Sequence, residues 1–312
     1  MSALGELASM ASHRTKGGAR EKHPDNKAGL IFMAPWLIGL LAITVIPMIA
    51  SFALSFTDYS LIAAPKFNGL DNWIEMLHDR RLHKSLVVTF TYVFVGTPLQ
   101  LIAALGLAIL LNQGMKGLAF YRSVFYLPSL LGGSVAIAIL WRQIFGAGGL
   151  VNQLLGAIGF TDLPGWVSNP DTALWTIILL HVWTFGSPMI IFLAGLRQIP
   201  TMYYEAASMD GASKWHQFVH ITLPLLTPII FFNLVLQIIG AFQSFTQAFV
   251  VSGGTGGPSD STLFYTLYLY QKGFAQFDMG YASAMAWLLL LIVAAFTAIN
   301  FVLSKFWVFY DD

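Results

Sequence analysis

Six long apolar stretches of this chain, residues 28–57, 85–115, 123–141, 172–196, 225–251 and 280–303, contain no Asp, Glu, Lys or Arg. A bilayer core of about 30 Å is crossed by about 20 consecutive apolar residues in a helix, so each stretch qualifies as a membrane span. Only 10% of the 312 residues are charged, against about 25% in a soluble domain. Lipid is therefore the solvent for most of the chain. The expected fold class is all-α, a polytopic membrane protein with six transmembrane helices. The stretch 123–141 is the shortest and carries Gly132 and Gly133, with Arg122 and Arg142 flanking it in the manner of interfacial anchors.

Residues 1–27 form a polar tail with Arg14, Lys16, Arg20, Lys22 and Lys27. The apolar stretch behind it is far longer than a signal-peptide core of about 7–15 residues, and is expected to stay in place as a signal anchor. With the tail in the cytoplasm, inside segments hold ten basic residues, the five above with Lys116, Arg122, Arg197, Lys214 and Lys305. Outside segments hold six: Lys66, Arg80, Arg81, Lys84, Arg142 and Lys272. The bias follows the positive-inside rule, which places both termini in the cytoplasm. The chain thus divides into a cytoplasmic tail, 1–27, and a transmembrane domain, 28–312, with its main cytoplasmic loop at 197–224.

A proline interrupts each of the first five stretches, at Pro47, Pro98, Pro128, Pro188 and Pro228. Each removes a helix hydrogen bond and favours a kink. Such kinks either shape a central cavity or reflect only the general abundance of proline in membrane helices. Between the third and fourth stretches, Leu150, Val151, Leu154, Leu155 and Ile158 recur at helical spacing opposite Asn152 and Gln153. This predicts a short amphipathic helix on the outer membrane surface.

Several functions are disfavoured. A formal net charge of +1 leaves no basic surplus for a nucleic acid, and the absence of cysteine removes disulfides, thiolate metal sites and cysteine nucleophiles. Ion-coupled transporters place ionisable groups at mid-membrane, whereas here the one titratable candidate deep in a stretch is His181. No G-x-x-x-x-G-K-[ST] phosphate loop occurs, so energy for uphill transport must come from another polypeptide. An intramembrane enzyme or a structural membrane subunit is the competing class. An enzyme needs a nucleophile and base, or ligands spaced as in H-E-x-x-H, yet His216 and His220, four apart, lack the glutamate. No catalytic residue and no metal ligand is assigned.

The loop at 197–224 reads "RQIPTMYYEAASMDGASKWHQFVHITLP". Pro200 suits the first turn of a short helix, Gly211 its stop, and Ser213 the cap of a second helix from Lys214. Met202, Tyr203, Ala206 and Met209 share a face of the first helix, and Ala206 and Ala207 are small enough for another surface to approach closely. Periodicity alone leaves two readings open, a docking helix for a partner or an interfacial helix packed under the bundle.

This loop resembles the EAA motif of binding-protein-dependent ABC importer permeases: Glu205-Ala206-Ala207, three residues, Gly211, then Ile221-Thr222-Leu223-Pro224. The spacing is met without gaps. The resemblance implies a type I ABC importer permease fold in a bacterial or archaeal cytoplasmic membrane, in which this loop docks on an ATPase. Glu205 would be its charged contact, Ala206 and Ala207 its close-packing surface and Gly211 its elbow, with Asp210 also in the coupling set. ATP and Mg would then sit on a separate ATPase dimer, with no cofactor in this chain. The other implied partners are a second homologous permease and an extracytoplasmic solute-binding protein. The Gly-Gly-Pro loop in "VVSGGTGGPSDST", followed by Gly280-Tyr281-Ala282-Ser283-Ala284, looks like the carbohydrate branch, the maltose and glycerol-phosphate type permeases. A glycerol phosphate, polyol or other small solute is the alternative cargo. The chain departs from the maltose system's larger subunit in lacking extra amino-terminal helices and a large periplasmic insertion.

A sugar needs hydrogen-bonding groups set beside aromatic faces, and in lipid these must point inward. Gln237, Ala241 and Ser244 fall at four- and three-residue spacing on one face of the fifth stretch, near Gln243. The fourth offers His181, Trp183 and Thr184. These are the candidate pathway residues, helix-to-helix hydrogen bonding being their alternative role. Maltose-type resemblance favours Gln237, Ser244 and Trp183, because the matching segments of that family hold substrate.

Overall fold

The computed structural model describes residues 25–114 and 117–309. Residues 1–24 of the tail, with Arg14, Lys16, Arg20 and Lys22, lie outside the described residues, as do Met115, Lys116 and residues 310–312. The chain divides into two compact units after Ser51.

The first span runs from α1 (Asp25–Gly39) through a wide π turn, Leu40–Val45, into α2 (Ile46–Leu54). The same device recurs at Tyr92–Gly96, between α4 (Arg80–Thr91) and α5 (Thr97–Leu111). It recurs again at Phe218–Thr222, between α12 (Lys214–Gln217) and α13 (Leu223–Phe242). In all three cases a proline, Pro47, Pro98 or Pro224, follows the turn by two residues. A proline lacks the N–H that would bond the carbonyl four residues back, and its ring presses on that carbonyl. Widening the preceding turn relieves the clash without ending the helix. These prolines therefore pass through continuous spans.

Preceding α4 are a two-residue antiparallel ladder, β1 (Thr57–Asp58) with β2 (Lys66–Phe67), and α3 (Asp71–His78). Among the described residues, four helices are long and apolar enough to cross a membrane: Gly29–Leu54, Arg80–Leu111, Lys214–Phe242 and α16 (Met279–Trp307). The expected third and fourth spans are bent pairs, and the six-span reading holds with each pair counted as one span. α6 (Leu118–Leu131) meets α7 (Val135–Ile144) at 95°, and α9 (Ala173–Trp183) meets α10 (Gly186–Leu196) at 41°. The sharper bend has a local cause. Pro128 cannot donate within α6, Gly132 and Gly133 supply no side chain to hold a helix, and Ser134 caps α7 by accepting from the Ile137 N–H at 3.3 Å.

The predicted amphipathic helix is α8 (Leu150–Ala157). Its Asn152 accepts from Trp166 Nε1 at 2.6 Å and donates to the carbonyls of Ala147 and Pro164. The remaining elements are α11 (Thr201–Met209), α14 (Thr246–Ser252) and α15 (Tyr265–Tyr270). One buried cluster gathers Leu101, Ala104, Ala108, Met189, Phe192 and Leu226 from α5, α10 and α13. Small residues on such faces let membrane helices approach closely, where dispersion holds them together. A second cluster, around Tyr92, Phe242, Phe264, Tyr265 and Tyr281, lies toward the opposite end of the bundle.

Candidate coupling loop and solute junction

The loop between the fourth and fifth spans folds as its sequence predicts. α11 follows Pro200 and closes at Gly211, whose φ of +76° belongs to the left-handed region. The Ala212 N–H returns to the Ala207 carbonyl at 2.9 Å, satisfying one of the open carbonyls at the helix end. Ser213 then caps α12, accepting from the His216 N–H. No residue of α11 is buried. Met209 is 90% exposed and Met202 65%, and Glu205 and Ala206 are also exposed. The inner side is set by Tyr204 and Ala207, both half-buried. The exposed face of α11 thus carries Met202, Glu205, Ala206 and Met209.

Two hydrogen bonds join α11 to the next span: Tyr204 with the Thr222 hydroxyl at 2.9 Å, and Gln217 Nε2 donating to Ser208 Oγ at 2.9 Å. From Lys214 the chain continues as one 29-residue helix to Phe242. On the other side of the loop, α10 runs back from Leu196 to Gly186. Gly195 of α10 sits where any added Cβ would collide with Ile229 of α13, so the two helices lie close. Both end at breaks in their spans, and side chains from neighbouring helices gather at those breaks.

At the α9–α10 break, the Thr184 carbonyl accepts from Ser129 Oγ at 2.8 Å and from Gln100 Nε2 at 3.1 Å. Ser129 also accepts from the Ser187 N–H at 2.9 Å. Gln247 of α14 donates to the carbonyl of Gly132, in the α6–α7 bend, at 3.2 Å, and accepts from Ser244 Oγ at 3.2 Å. Interrupted backbone inside a membrane is tolerated where its freed groups are satisfied or line a cavity. Here side chains from α5, α6 and α14 satisfy them, forming a polar junction within the bundle. Gln100 and Ser129, absent from the sequence-derived candidates, belong to it. Their only sequence signal was polarity in otherwise apolar stretches.

The junction revises the candidate pathway. The fifth stretch was expected to be helical through residue 251, but α13 stops at Phe242 and Ser244 lies in the break, so Gln237, Ala241 and Ser244 share no continuous helical face. Beyond the stop, Thr266 Oγ1 donates to the Ser244 carbonyl. Ala241 is buried in the core and offers no accessible surface. Thr184 Oγ1 is spent on the His181 carbonyl and Gln100. His181 packs against the Tyr92 ring, 5.0 Å between centroids, and against Gly96. Gln243 is exposed and borders a groove of about 710 Å³ against α16. Gln237 is half-buried, and among the described residues its amide has no side-chain hydrogen bond. Trp183 faces Trp141, 5.9 Å between ring centroids, which places an aromatic pair beside the junction.

Residues 73–307 match the family described as binding-protein-dependent transport system inner membrane component. The chain belongs to this family. It is 56% identical over 295 residues to the probable ABC transporter permease protein YesP of Bacillus subtilis, covering 94% of this chain and 96% of that protein. It is 30% identical to the probable starch degradation products transport system permease protein AmyD of Thermoanaerobacterium thermosulfurigenes, covering 88% and 93%. Its fold matches a chain in the crystal structure of a bacterial alginate ABC transporter in complex with alginate pentasaccharide-bound periplasmic protein, with a TM-score of 0.77 at 20% identity, covering 90% and 96%. The type I ABC importer permease fold expected from the EAA motif is thereby established.

This inner membrane component carries a second polar cluster at the end of the bundle away from α11. Asp79 caps α4 through the N–H groups of Arg81 and Leu82, and its other oxygen accepts from Tyr268 at 2.6 Å and Tyr281 at 2.8 Å. Burial pushes the carboxyl pKa upward, but the Tyr268, Tyr281 and backbone hydrogen bonds outweigh it and hold the group below its ordinary value. Arg81 makes a bidentate pair with Asp260, at 2.7 and 3.0 Å, and lies over the Tyr268 ring. Lys272 lies over Tyr281 and reaches Glu75 at 3.8 Å. The Gly-Gly-Pro loop and the Gly-Tyr-Ala-Ser-Ala helix start thus contribute Asp260 and Tyr281 to one latch on α4.

Proposed function

We propose that this chain is one permease subunit of an ATP-driven carbohydrate importer, oriented with both termini and α11 in the cytoplasm. The observation that carries the proposal is the continuity from the exposed face of α11 to the polar junction. The helix Lys214–Phe242 begins at the docking elbow and ends at the break containing Ser244. α10 begins at the break beside Thr184 and ends where the loop starts. A displacement of α11 is transmitted by two stiff helices to the place where three spans are interrupted. Glu205, Ala206, Ala207 and the Asp210–Gly211 elbow meet the ATPase, and Gln237, Trp183 and Ser244 face the solute as the junction opens alternately to either side.

A carbohydrate suits such a junction, because aromatic faces and neutral amides recognise uncharged hydroxyls without importing charge into lipid. The starch degradation products named for the AmyD relative support this cargo, as does the alginate pentasaccharide on the periplasmic protein of the similar alginate transporter. ATP and Mg are assigned to a partner ATPase, since the sequence has no phosphate loop. A second permease and a solute-binding protein complete the complex. The test is uptake by proteoliposomes holding this chain with its co-purifying subunits. Sugar accumulation should require internal ATP and survive collapse of the proton gradient. Accumulation driven by a gradient without ATP would overturn the reading.

A further inference from the structure

Two arginines at the α11 end of the bundle share a cleft and lack a protein partner among the described residues. Arg122 lies near the start of α6 and Arg197 follows the last residue of α10. Together they line a cleft of about 220 Å³ whose other walls are Ile190, Leu193 and Ala194. Among the described residues neither guanidinium has an ion-pair partner. Arg122 Nε is fully buried and makes no hydrogen bond. A buried cationic N–H without an acceptor is costly, so a site that retains one is suited to receive an acceptor from outside the chain.

The chemistry of the cleft selects that acceptor. Guanidinium groups present paired donors that match phosphate oxygens, and two converging arginines match a phosphodiester better than a neutral headgroup. The remaining walls are aliphatic, and Ile190 is exposed on the outer surface of α10. A cleft with basic groups at one end and an apolar slope fits an amphiphile, with its phosphate on the arginines and an acyl chain along Ile190 and Ala194. A free phosphate would gain nothing from those walls. Basic pockets between spans near the cytoplasmic surface are suited to anionic lipid headgroups.

We propose that Arg122 and Arg197 bind the headgroup phosphate of an anionic phospholipid, seated at the root of the coupling loop just before α11 begins. The choice of the cytoplasmic leaflet rests on the orientation proposed above. The binding itself does not.

Native mass spectrometry of the purified assembled complex provides the test, using phosphatidylglycerol and phosphatidylcholine as competing added lipids. Wild type should retain phosphatidylglycerol in preference to phosphatidylcholine. Each basic group near a membrane contributes about a fivefold gain for anionic lipid, so the double variant Arg122→Gln, Arg197→Gln should lose about 25-fold in that preference. The charge-keeping pair Arg122→Lys, Arg197→Lys should retain most of it, which separates loss of the site from loss of folding. Added glycerol phosphate should not displace the lipid, whereas displacement would mark a free-phosphate site and overturn the proposal. Unchanged retention by the double Gln variant would also overturn it. So would release of the ATPase from that variant without loss of lipid, because the arginines would then pair with the ATPase. Absence of any co-purifying ATPase from wild type would instead count against the proposed function, with lipid retention still readable.

Discussion

The Tyr268 hydroxyl donates to the Asp79 carboxylate at 2.6 Å across 189 residues of sequence, fastening α15 to the start of α4. Because Tyr281 donates to the same oxygen, one carboxylate ties three elements together. Its folded pKa lies below the ordinary value of 3.8, so its contribution is fully present above the unfolded pKa and is lost as pH falls through the folded one. Asp79→Asn should lower the stability of the purified complex by about 1–3 kcal/mol at neutral pH. The difference from wild type should shrink below about pH 4 as the native carboxylate protonates. Thermal unfolding from pH 3 to pH 8 checks both parts; a difference constant across that range would mean that the carboxylate's charge plays no part.

Gly211→Val should abolish most ATP-driven uptake while the subunit still reaches the membrane. Nothing lies within 4 Å of a Cβ built at this position, so the penalty is purely the left-handed backbone, about 1–2 kcal/mol for an ordinary residue and more for a β-branched one. Gly211→Asn, which tolerates that backbone, should retain much more activity. Equal loss in both variants, measured as uptake per assembled complex, would move the cause from backbone to side chain.

Gly186→Ala should destabilise the complex, because the added methyl would meet the Phe125 carbonyl and the Tyr126 Cα on α6, which are backbone atoms with no rotamer to change. Overpacking of this kind costs about 1–3 kcal/mol. Gly240→Ala on α13, where nothing lies within 4 Å, should be neutral or slightly stabilising. Thermal midpoints of the two variants, measured side by side in the same detergent, test the contrast.

Gln237→Leu should leave the complex assembled and reduce uptake unequally among sugars, since leucine is well accepted in a membrane helix and the native amide is not committed to another side chain. Removing one hydrogen bond to a solute hydroxyl costs about 1–3 kcal/mol, a change of about fivefold to a hundredfold in the affected sugar's uptake. Gln247→Leu should behave differently. It breaks the bond to the Gly132 carbonyl and should lower assembly and all sugars together. Uptake of several sugars, normalised to assembled complex, distinguishes the two residues.

The spans were legible in the sequence because lipid leaves a backbone no partner but itself, so length and apolarity alone specify a crossing helix. The local fold of the loop at 197–224 was equally legible. Its elbow at Gly211 and its cap at Ser213 depend on residues within a few positions of each other, and the family pattern from Glu205 to Pro224 sits on the same short segment. Helical spacing failed at the fifth stretch, where extending one face from Gln237 to Ser244 assumed a helix that ends at Phe242, with the Ser244 carbonyl beyond it met by Thr266 of another element.

By itself, then, the sequence determined that this chain crosses a membrane repeatedly and where its exposed helix–elbow–helix lies. Only the tertiary structure decided the 95° bend, the meeting of Gln100, Ser129, Thr184 and Gln247 at one junction, and the grip of Tyr268 and Tyr281 on Asp79. Local periodicity records how a residue sits on its own helix. It carries no information about which distant hydroxyl or amide will satisfy a carbonyl where that helix breaks, since that partner is chosen by the packing of the whole bundle.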